Sequence, residues 1–321
     1  AGETPGEVAI MAAYMGPVAT FRALIPRRGT TADIPKRPIH NFIDTHVDAK
    51  LQKLNVAASG LCTDADYLRR VYLDIIGTLP TADEARTFLA DKRPDRRARL
   101  VDSLLKRPEF ADFWALKWSD LLRVDRRVLG HKGAFEYYRW IRDSFAANKP
   151  YDQFAREFLA GDGLLNQAPS GYLHKVEKTA DKVASTVSQV FLGIRIECAQ
   201  CHHHPFDRWS QTDYVGMQAF FTQVSFKSTP RGEMVVASRN TTSKHPRTKA
   251  IVHAHPLGTE NPEASPKGDR RKALAAWMTA PDNPWFARNF VNRIWARFLG
   301  RGIIEPVDDL RVTNPPTNPE L

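Results

Sequence analysis

Helical periodicity is the feature that most constrains the fold of this chain. From His40 onward, apolar residues recur at the three- and four-residue spacing of a helix face, and short connections separate the segments. Thr81 and Glu84 have the spacing of a capping box, in which two side chains satisfy free backbone donors at a helix start. The pattern predicts a mainly α protein with helices that include 95–105, 108–122, 133–147, 151–159, 180–192, 270–278 and 284–299.

Two segments depart from the helical pattern. Residues 7–14 and 18–25 are β-rich runs separated by Met15-Gly16-Pro17, which predicts a β-hairpin. Residues 228–267 are polar and contain several prolines, so we expect an irregular excursion with one strand-like piece at 233–236.

These departures predict the domain organisation. Two strands alone are marginally stable in water, so we expect the hairpin to belong to a larger β-domain. The predicted order is terminal β-strands at 1–27, a linker at 28–39, a helical domain at 40–227, an irregular connection at 228–269, and the start of a second helical domain at 270–321, cut short at its end.

The motif with the clearest chemistry is Cys198-Ala199-Gln200-Cys201-His202. Two cysteines three residues apart, followed directly by histidine, have the spacing of c-type haem attachment. Two thiols on one turn reach the two vinyl groups at one edge of a porphyrin, and the histidine then lies under the iron. The motif predicts one covalently bound haem on Cys198 and Cys201, with His202 as the proximal iron ligand.

Other uses of the same cysteines stay open. A structural zinc ion would take Cys198, Cys201 and one or two of His203, His204 and His245. The chain contains no second Cys-x-x-Cys, which weakens the zinc interpretation. A redox dithiol or a buried cysteine pair are the further alternatives.

A low-spin haem needs a second axial ligand. Met217 follows on the apolar face of the next predicted helix, and His245 stands in the polar excursion. Met217 is also a common kind of core filler, and His245 fits an exposed loop. His46, on a predicted helix face with apolar neighbours, and His174 are weaker candidates. If none of these residues binds, the iron is five-coordinate and open to small ligands.

The charge pattern limits the partners. The net charge is +10, but much of the basic excess is scattered as pairs such as Arg69-Arg70 and Arg126-Arg127. A nucleic-acid binder concentrates its charge on one element, so we expect no nucleic acid. A basic surface instead favours docking to an acidic protein partner or to an anionic membrane. No apolar run reaches the eighteen or so residues that a membrane-spanning helix needs, so no transmembrane segment is expected.

The residues around the motif resemble those of a known family. Segments 190–194, 198–202 and 204–209 are similar to the planctomycete-type cytochrome-like domain of unknown function, as are 42–44, 68–74, 77–81 and 113–123. Segments 281–288 and 291–295 resemble the companion domain that usually follows it, and the hairpin resembles the last strands of a bacterial immunoglobulin-like domain. The resemblance implies an exported multi-domain protein and supplies no reaction.

Three functions are compatible with these observations. The first is an electron-transfer cytochrome that works with other redox proteins in a periplasmic or otherwise extracytoplasmic assembly, where haem c is attached. The second is a haem enzyme with an open distal site. The third is a structural or interaction module held by zinc or by a disulfide at Cys198 and Cys201.

Overall fold

The structure, a computed structural model, describes residues 4–14, 18–29, 37–238 and 242–321. These residues form a mainly α protein with a short N-terminal hairpin, as the sequence predicts. They divide into two compact units. The first comprises the described residues of Ala1–Cys62, Pro205–Asp207 and Asn289–Leu321, and the second comprises those of Thr63–His204 and Arg208–Arg288.

Twelve α-helices occur in the described part of the chain. They are α1 (Phe42–Leu54), α2 (Asp64–Ile75), α3 (Ala82–Ala90), α4 (Arg96–Leu105), α5 (Pro108–Leu121), α6 (Arg126–Ala146), α7 (Tyr151–Ala160), α8 (Ser170–Glu177), α9 (Ala180–Val187), α10 (Gln211–Ala219), α11 (Arg270–Met278) and α12 (Phe286–Leu299). The strands are β1 (Gly6–Ala13), β2 (Val18–Ile25), β3 (Gly163–Leu164), β4 (Val224–Thr229), β5 (Gly232–Ala237), β6 (Ser243–Lys244) and β7 (Ile251–Val252).

Side-chain caps explain where several helices begin. The predicted capping box at α3 is present: the Thr81 hydroxyl accepts from the Glu84 amide, and the Glu84 carboxylate accepts from the Thr81 amide. Ser210 and Asp213 form the same box at α10. The Asn283 side chain accepts from backbone amides at the start of α12. These local bonds satisfy donors that the helix itself leaves unpaired.

In the first unit, β1 and β2 pair antiparallel, with Gly6 opposite Ile25 and Ala13 opposite Val18. The hairpin is fastened by the Glu7 carboxylate, which forms ion pairs with Arg22 of β2 and Lys50 of α1. The opposite face carries exposed apolar side chains, namely Val8, Ile10 and Phe21. The predicted hairpin is therefore present, while its Met15-Gly16-Pro17 turn and residues 30–36 of the predicted linker lie outside the described residues.

In the second unit, an aromatic core joins α5, α7 and the segment after α9. The Trp118 ring centroid lies 5.2 Å from that of Phe154 and 6.2 Å from that of Phe191. Phe191 lies 5.5 Å from Phe158 in turn, and all four side chains are buried. Each such residue buries a large apolar area, so this cluster dominates the packing of the unit.

The structure corrects two details of the predicted helices. The predicted helix over 180–192 ends at Val187 and continues as one π-helical turn, Ser188–Leu192, before Gly193 adopts a positive φ of 68°. Helix α8 was not predicted; it is short and is stabilised by burial of Tyr172 and Leu173. Such a helix depends on tertiary packing, because short helices are marginal by themselves in water.

The predicted irregular excursion is more ordered than expected. Strands β4 and β5 form an antiparallel hairpin, and β3 adds to β5 to complete a three-stranded sheet. The apolar periodicity of the sequence would continue helix α10 as far as Val224. In the structure α10 ends at Ala219, and Val224 is the first residue of strand β4. The short strands β6 and β7 also pair. None of the helices in the described ranges is long and apolar enough to cross a membrane.

Candidate functional site

The Cys-x-x-Cys-His motif lies on one exposed turn of the second unit. A 3₁₀ helix, Glu197–Gln200, places the side chain of Ala199 in the core, while Cys198 and Cys201 face solvent. His202 follows directly and is also exposed. The three predicted haem-binding residues are therefore all exposed, while Ala199 between the two cysteines packs into the core.

Hydrogen bonds from two helices hold this turn. The Gln200 amide donates to Asp181 Oδ2 of α9 at 3.1 Å, and Gln211 of α10 donates to the Gln200 carbonyl at 3.2 Å. The Tyr214 hydroxyl lies 3.4 Å from the same Asp181 oxygen. Burial raises the pKa of Tyr214 to about 12, so its phenol remains protonated as a donor. The turn is thus supported by side chains on rigid elements.

The hydrogen bond of His202 defines its tautomer. Its Nδ1 lies 2.6 Å from the backbone oxygen of His203. A carbonyl oxygen can only accept, so Nδ1 carries the proton in the neutral ring, and Nε2 keeps its lone pair. A backbone carbonyl on one ring nitrogen is the usual way in which proteins orient a histidine that binds a metal through the other nitrogen.

The thiol groups of the motif are available for chemistry. Cys198 and Cys201 are exposed and are not joined by a disulfide, whereas Cys62 is half-buried elsewhere. Two accessible thiols beside an imidazole with an available Nε2 have the donor chemistry that a covalently attached haem requires. The residues present on this turn therefore fit the group.

A preassembled zinc site is not found in the described ranges. No group of three or more His, Cys, Asp or Glu residues there is arranged to hold a metal ion. Of the histidines considered for zinc, His203 is exposed and His204 is half-buried, with its amide bonded to the Trp209 carbonyl at 2.9 Å. His204 is therefore placed by the loop that closes at Trp209.

The two candidate distal ligands are both engaged in the fold. Met217 is fully buried in α10. His245 lies in the turn between β6 and β7, where its Nδ1 accepts from the amides of Arg247 and Thr248 at 3.3 and 3.2 Å. Because amides can only donate, this ring keeps its proton on Nε2 in the neutral form. Each residue would have to change its present bonding or packing to bind iron.

Two further histidines, His174 and His255, have ring atoms that are buried in the fold. His255 is 2% exposed, and its Nδ1 donates to the His253 carbonyl at 2.8 Å. His174, a weak sequence candidate for iron, has a buried Nε2 with no hydrogen-bond partner among the described residues. Burial, and then the positive charge of Arg271, lower the pKa of His174 to about 3. No spacing signal in the sequence distinguishes either residue from a surface histidine.

These features define a mainly helical protein with an exposed Cys-x-x-Cys-His turn. A family model described as a protein of unknown function (DUF1549) matches residues 42–226, and the chain belongs to this family. A second model, described as a protein of unknown function (DUF1553), matches residues 270–321. No curated protein and no solved structure matches the chain significantly. The resemblance to a domain of unknown function followed by a companion domain is confirmed in that order, and the cytochrome-like character stays a prediction.

Proposed function

We propose that this protein is a c-type cytochrome-like electron carrier with one haem bound through thioethers to Cys198 and Cys201 and ligated by His202. The observation that carries the proposal is the hydrogen bond from His202 Nδ1 to the His203 carbonyl, beside two exposed thiols. This hydrogen bond leaves Nε2 of His202 with a lone pair, in the residue that directly follows Cys201. When bound, the haem would supply one-electron chemistry.

The chain's own residues have supporting roles in this proposal. Asp181 and Gln211 hold the turn through Gln200, so the two thiols and the imidazole keep their relative positions. The His203 carbonyl orients the imidazole and fixes its tautomer, so that Nε2 is the nitrogen that can ligate the iron.

A spectrum and a mass measurement test the proposal. The chain is exported in a bacterial host that carries c-type haem attachment machinery, and a pyridine haemochrome spectrum is recorded. We expect a c-type haem spectrum and a peptide that contains Cys198 and Cys201 with the added mass of one haem. The Cys198→Ala/Cys201→Ala variant should lose both signals, and the Cys62→Ala variant should keep them. An unmodified peptide from soluble, folded protein would refute the proposal.

A haem with an open distal face is the second candidate function. The burial of Met217 favours it, because a thioether enclosed in the core would have to leave its packing to bind an iron at an exposed turn. Such an iron would bind small ligands and would permit oxidising or peroxidase-like chemistry. Carbon monoxide added to the reduced protein should then shift the Soret band, whereas a six-coordinate carrier should keep its spectrum.

The third interpretation, a module held by zinc or a disulfide at the same cysteines, is distinguished by the same preparation. If zinc is bound, metal analysis would show one zinc per chain. If a disulfide is formed, thiol titration would show Cys198 and Cys201 oxidised. In both cases the protein would carry no haem.

The partner and location follow from the proposal. Haem c is attached outside the cytoplasmic membrane, so we propose a periplasmic or other extracytoplasmic location. The net charge of +10 favours an acidic redox partner, because opposite charges accelerate encounter. The electron-transfer rate with an acidic partner should therefore fall as ionic strength rises.

A further inference from the structure

A polar cavity of about 410 Å³ lies in the second unit, beside β6, β7 and the first turn of α11. Its volume is within the range of small-molecule sites in proteins. The lining includes three basic side chains and four further polar ones, and no Asp or Glu among the described residues. These seven are Gln223, Thr242, Ser243, His253, Ser265, Lys267 and Arg270.

The two strong cations of the cavity lie three residues apart. Lys267 is exposed and forms no ion pair with a described residue. The Arg270 guanidinium donates from Nη1 to the Ala219 carbonyl at 3.2 Å, and its amide donates to Gln223 Oε1 at 3.2 Å. Burial alone lowers the pKa of Arg270, so an anion beside the guanidinium would stabilise its charged form.

The nearest carboxylate along the chain belongs to a different ion pair. Asp269 forms a two-point ion pair with Arg271, with Nε–Oδ1 at 3.0 Å and Nη2–Oδ2 at 2.7 Å. Its Oδ1 also accepts from the Arg271 amide and so caps α11. Asp269 is therefore engaged at the start of the helix and is not among the residues that line the cavity.

Hydroxyl groups add donors to this basic lining. Ser243 is 9% exposed, and its Oγ has no hydrogen-bond partner among the described residues. A buried hydroxyl without a partner costs free energy, and a bound acceptor would remove that cost. Ser265 Oγ accepts from the Ala254 amide at 2.9 Å and lies 3.4 Å from His253 Nδ1, which fixes its position at the cavity wall.

We propose that this cavity binds a tetrahedral oxyanion, a phosphate or sulfate group, through Lys267, Arg270 and the Ser243 hydroxyl. The site is separate from the Cys-x-x-Cys-His turn and does not depend on haem. The oxyanion is either a free inorganic ion or an ester group on a small molecule, since both present the same charged oxygens.

Isothermal titration at low ionic strength tests the proposal. Inorganic phosphate, inorganic sulfate and glycerol phosphate are titrated separately into the whole chain. We expect saturable binding of one anion per chain, and tighter binding of the ester than of free phosphate would identify an ester as the natural ligand.

Matched lysine variants give the decisive comparison. Lys267→Ala should weaken binding about tenfold, the usual scale for losing one charge-assisted hydrogen bond. Ser243→Ala should weaken it severalfold. The exposed Lys227 in β4 does not line the cavity, so Lys227→Ala should bind like the parent. Absence of saturable binding, or equal weakening in Lys267→Ala and Lys227→Ala with unchanged thermal unfolding, would overturn the proposal.

Discussion

The imidazole of His255 lies directly against the backbone of Gly216 in α10. A methyl group on Gly216 would be 2.2 Å from His255 Cε1 and 2.4 Å from its Nδ1, far inside van der Waals contact. The hydrogen bond from Nδ1 to the His253 carbonyl holds the ring in place. The glycine is therefore needed for close packing within a helix that also supports the cysteine turn.

Gly216→Ala should destabilise the protein. Alanine is normally about 1 kcal/mol better than glycine inside a helix, but overpacking a core costs about 1–3 kcal/mol. We expect a net decrease in the free energy of unfolding, measured by urea denaturation. Gly60→Ala is the control, because nothing lies within 4 Å of its new methyl group. Replacing His255 with alanine as well should recover part of the loss; a Gly216→Ala protein more stable than the parent would contradict this packing.

Two ion pairs with the same geometry but different burial give the next prediction. Arg271 and Asp269, two residues apart, form a bidentate ion pair in which the arginine side chain is only 1% exposed. Arg93 and Asp91 have the same spacing and also form a bidentate ion pair, but the Arg93 side chain is 55% exposed. Arg271→Ala should reduce the free energy of unfolding by about 3–5 kcal/mol, because it leaves a carboxylate buried without its partner.

Arg93→Ala is the matched control for this experiment. Water screens the exposed pair, so its removal should change the urea midpoint little. Similar losses of unfolding free energy in Arg271→Ala and Arg93→Ala would show that burial does not determine how much these ion pairs stabilise the protein.

The lowered pKa of His174 makes the stability of the protein depend on pH. Its pKa is about 3 in the folded protein, against 6.5 for an ordinary histidine, because burial and Arg271 disfavour the charged ring. The unfolded chain therefore binds a proton that the folded protein does not. The contribution of His174 is fully present above about pH 6.5 and is lost towards pH 3, at up to about 1.4 kcal/mol per pH unit.

Urea denaturation between pH 4 and pH 8 measures this dependence. His174→Phe should flatten the pH profile, since the replacement cannot take up a proton, and His131→Gln is the comparison at an exposed position. A His174→Phe profile as steep as that of the parent would assign the pH dependence to other groups.

The two neighbouring histidines of the motif should respond differently to replacement. His202→Ala should abolish the low-spin Soret spectrum of the haem-loaded protein, because it removes the proposed iron ligand. His203→Ala should preserve the spectrum, because the bond to His202 Nδ1 comes from the His203 backbone carbonyl and not from its ring. Equal loss in both variants would show that the His203 ring itself is needed.

Most of the helical architecture could be predicted from local signals. Capping boxes at Thr81 and Ser210 act over three or four residues, so they are visible in the sequence and present in the fold. Strand β4 could not be predicted in the same way, because its pairing with β5 and the packing of the sheet stabilise it rather than its own pattern. Helix α8 was missed for the same reason.

The sequence by itself determined the order of chemical groups in Cys198-Ala199-Gln200-Cys201-His202, because covalent spacing along one turn decides which side chains are neighbours. Only the tertiary structure decided that the sulfurs face solvent and that His202 Nδ1 is bonded to a carbonyl. It also decided the burial of His174, the contact of His255 with Gly216, and the grouping of Lys267 with Ser243. The contact of His255 with Gly216 and the grouping of Lys267 with Ser243 join residues distant in the chain, and such contacts form only when the packed core brings separate elements together.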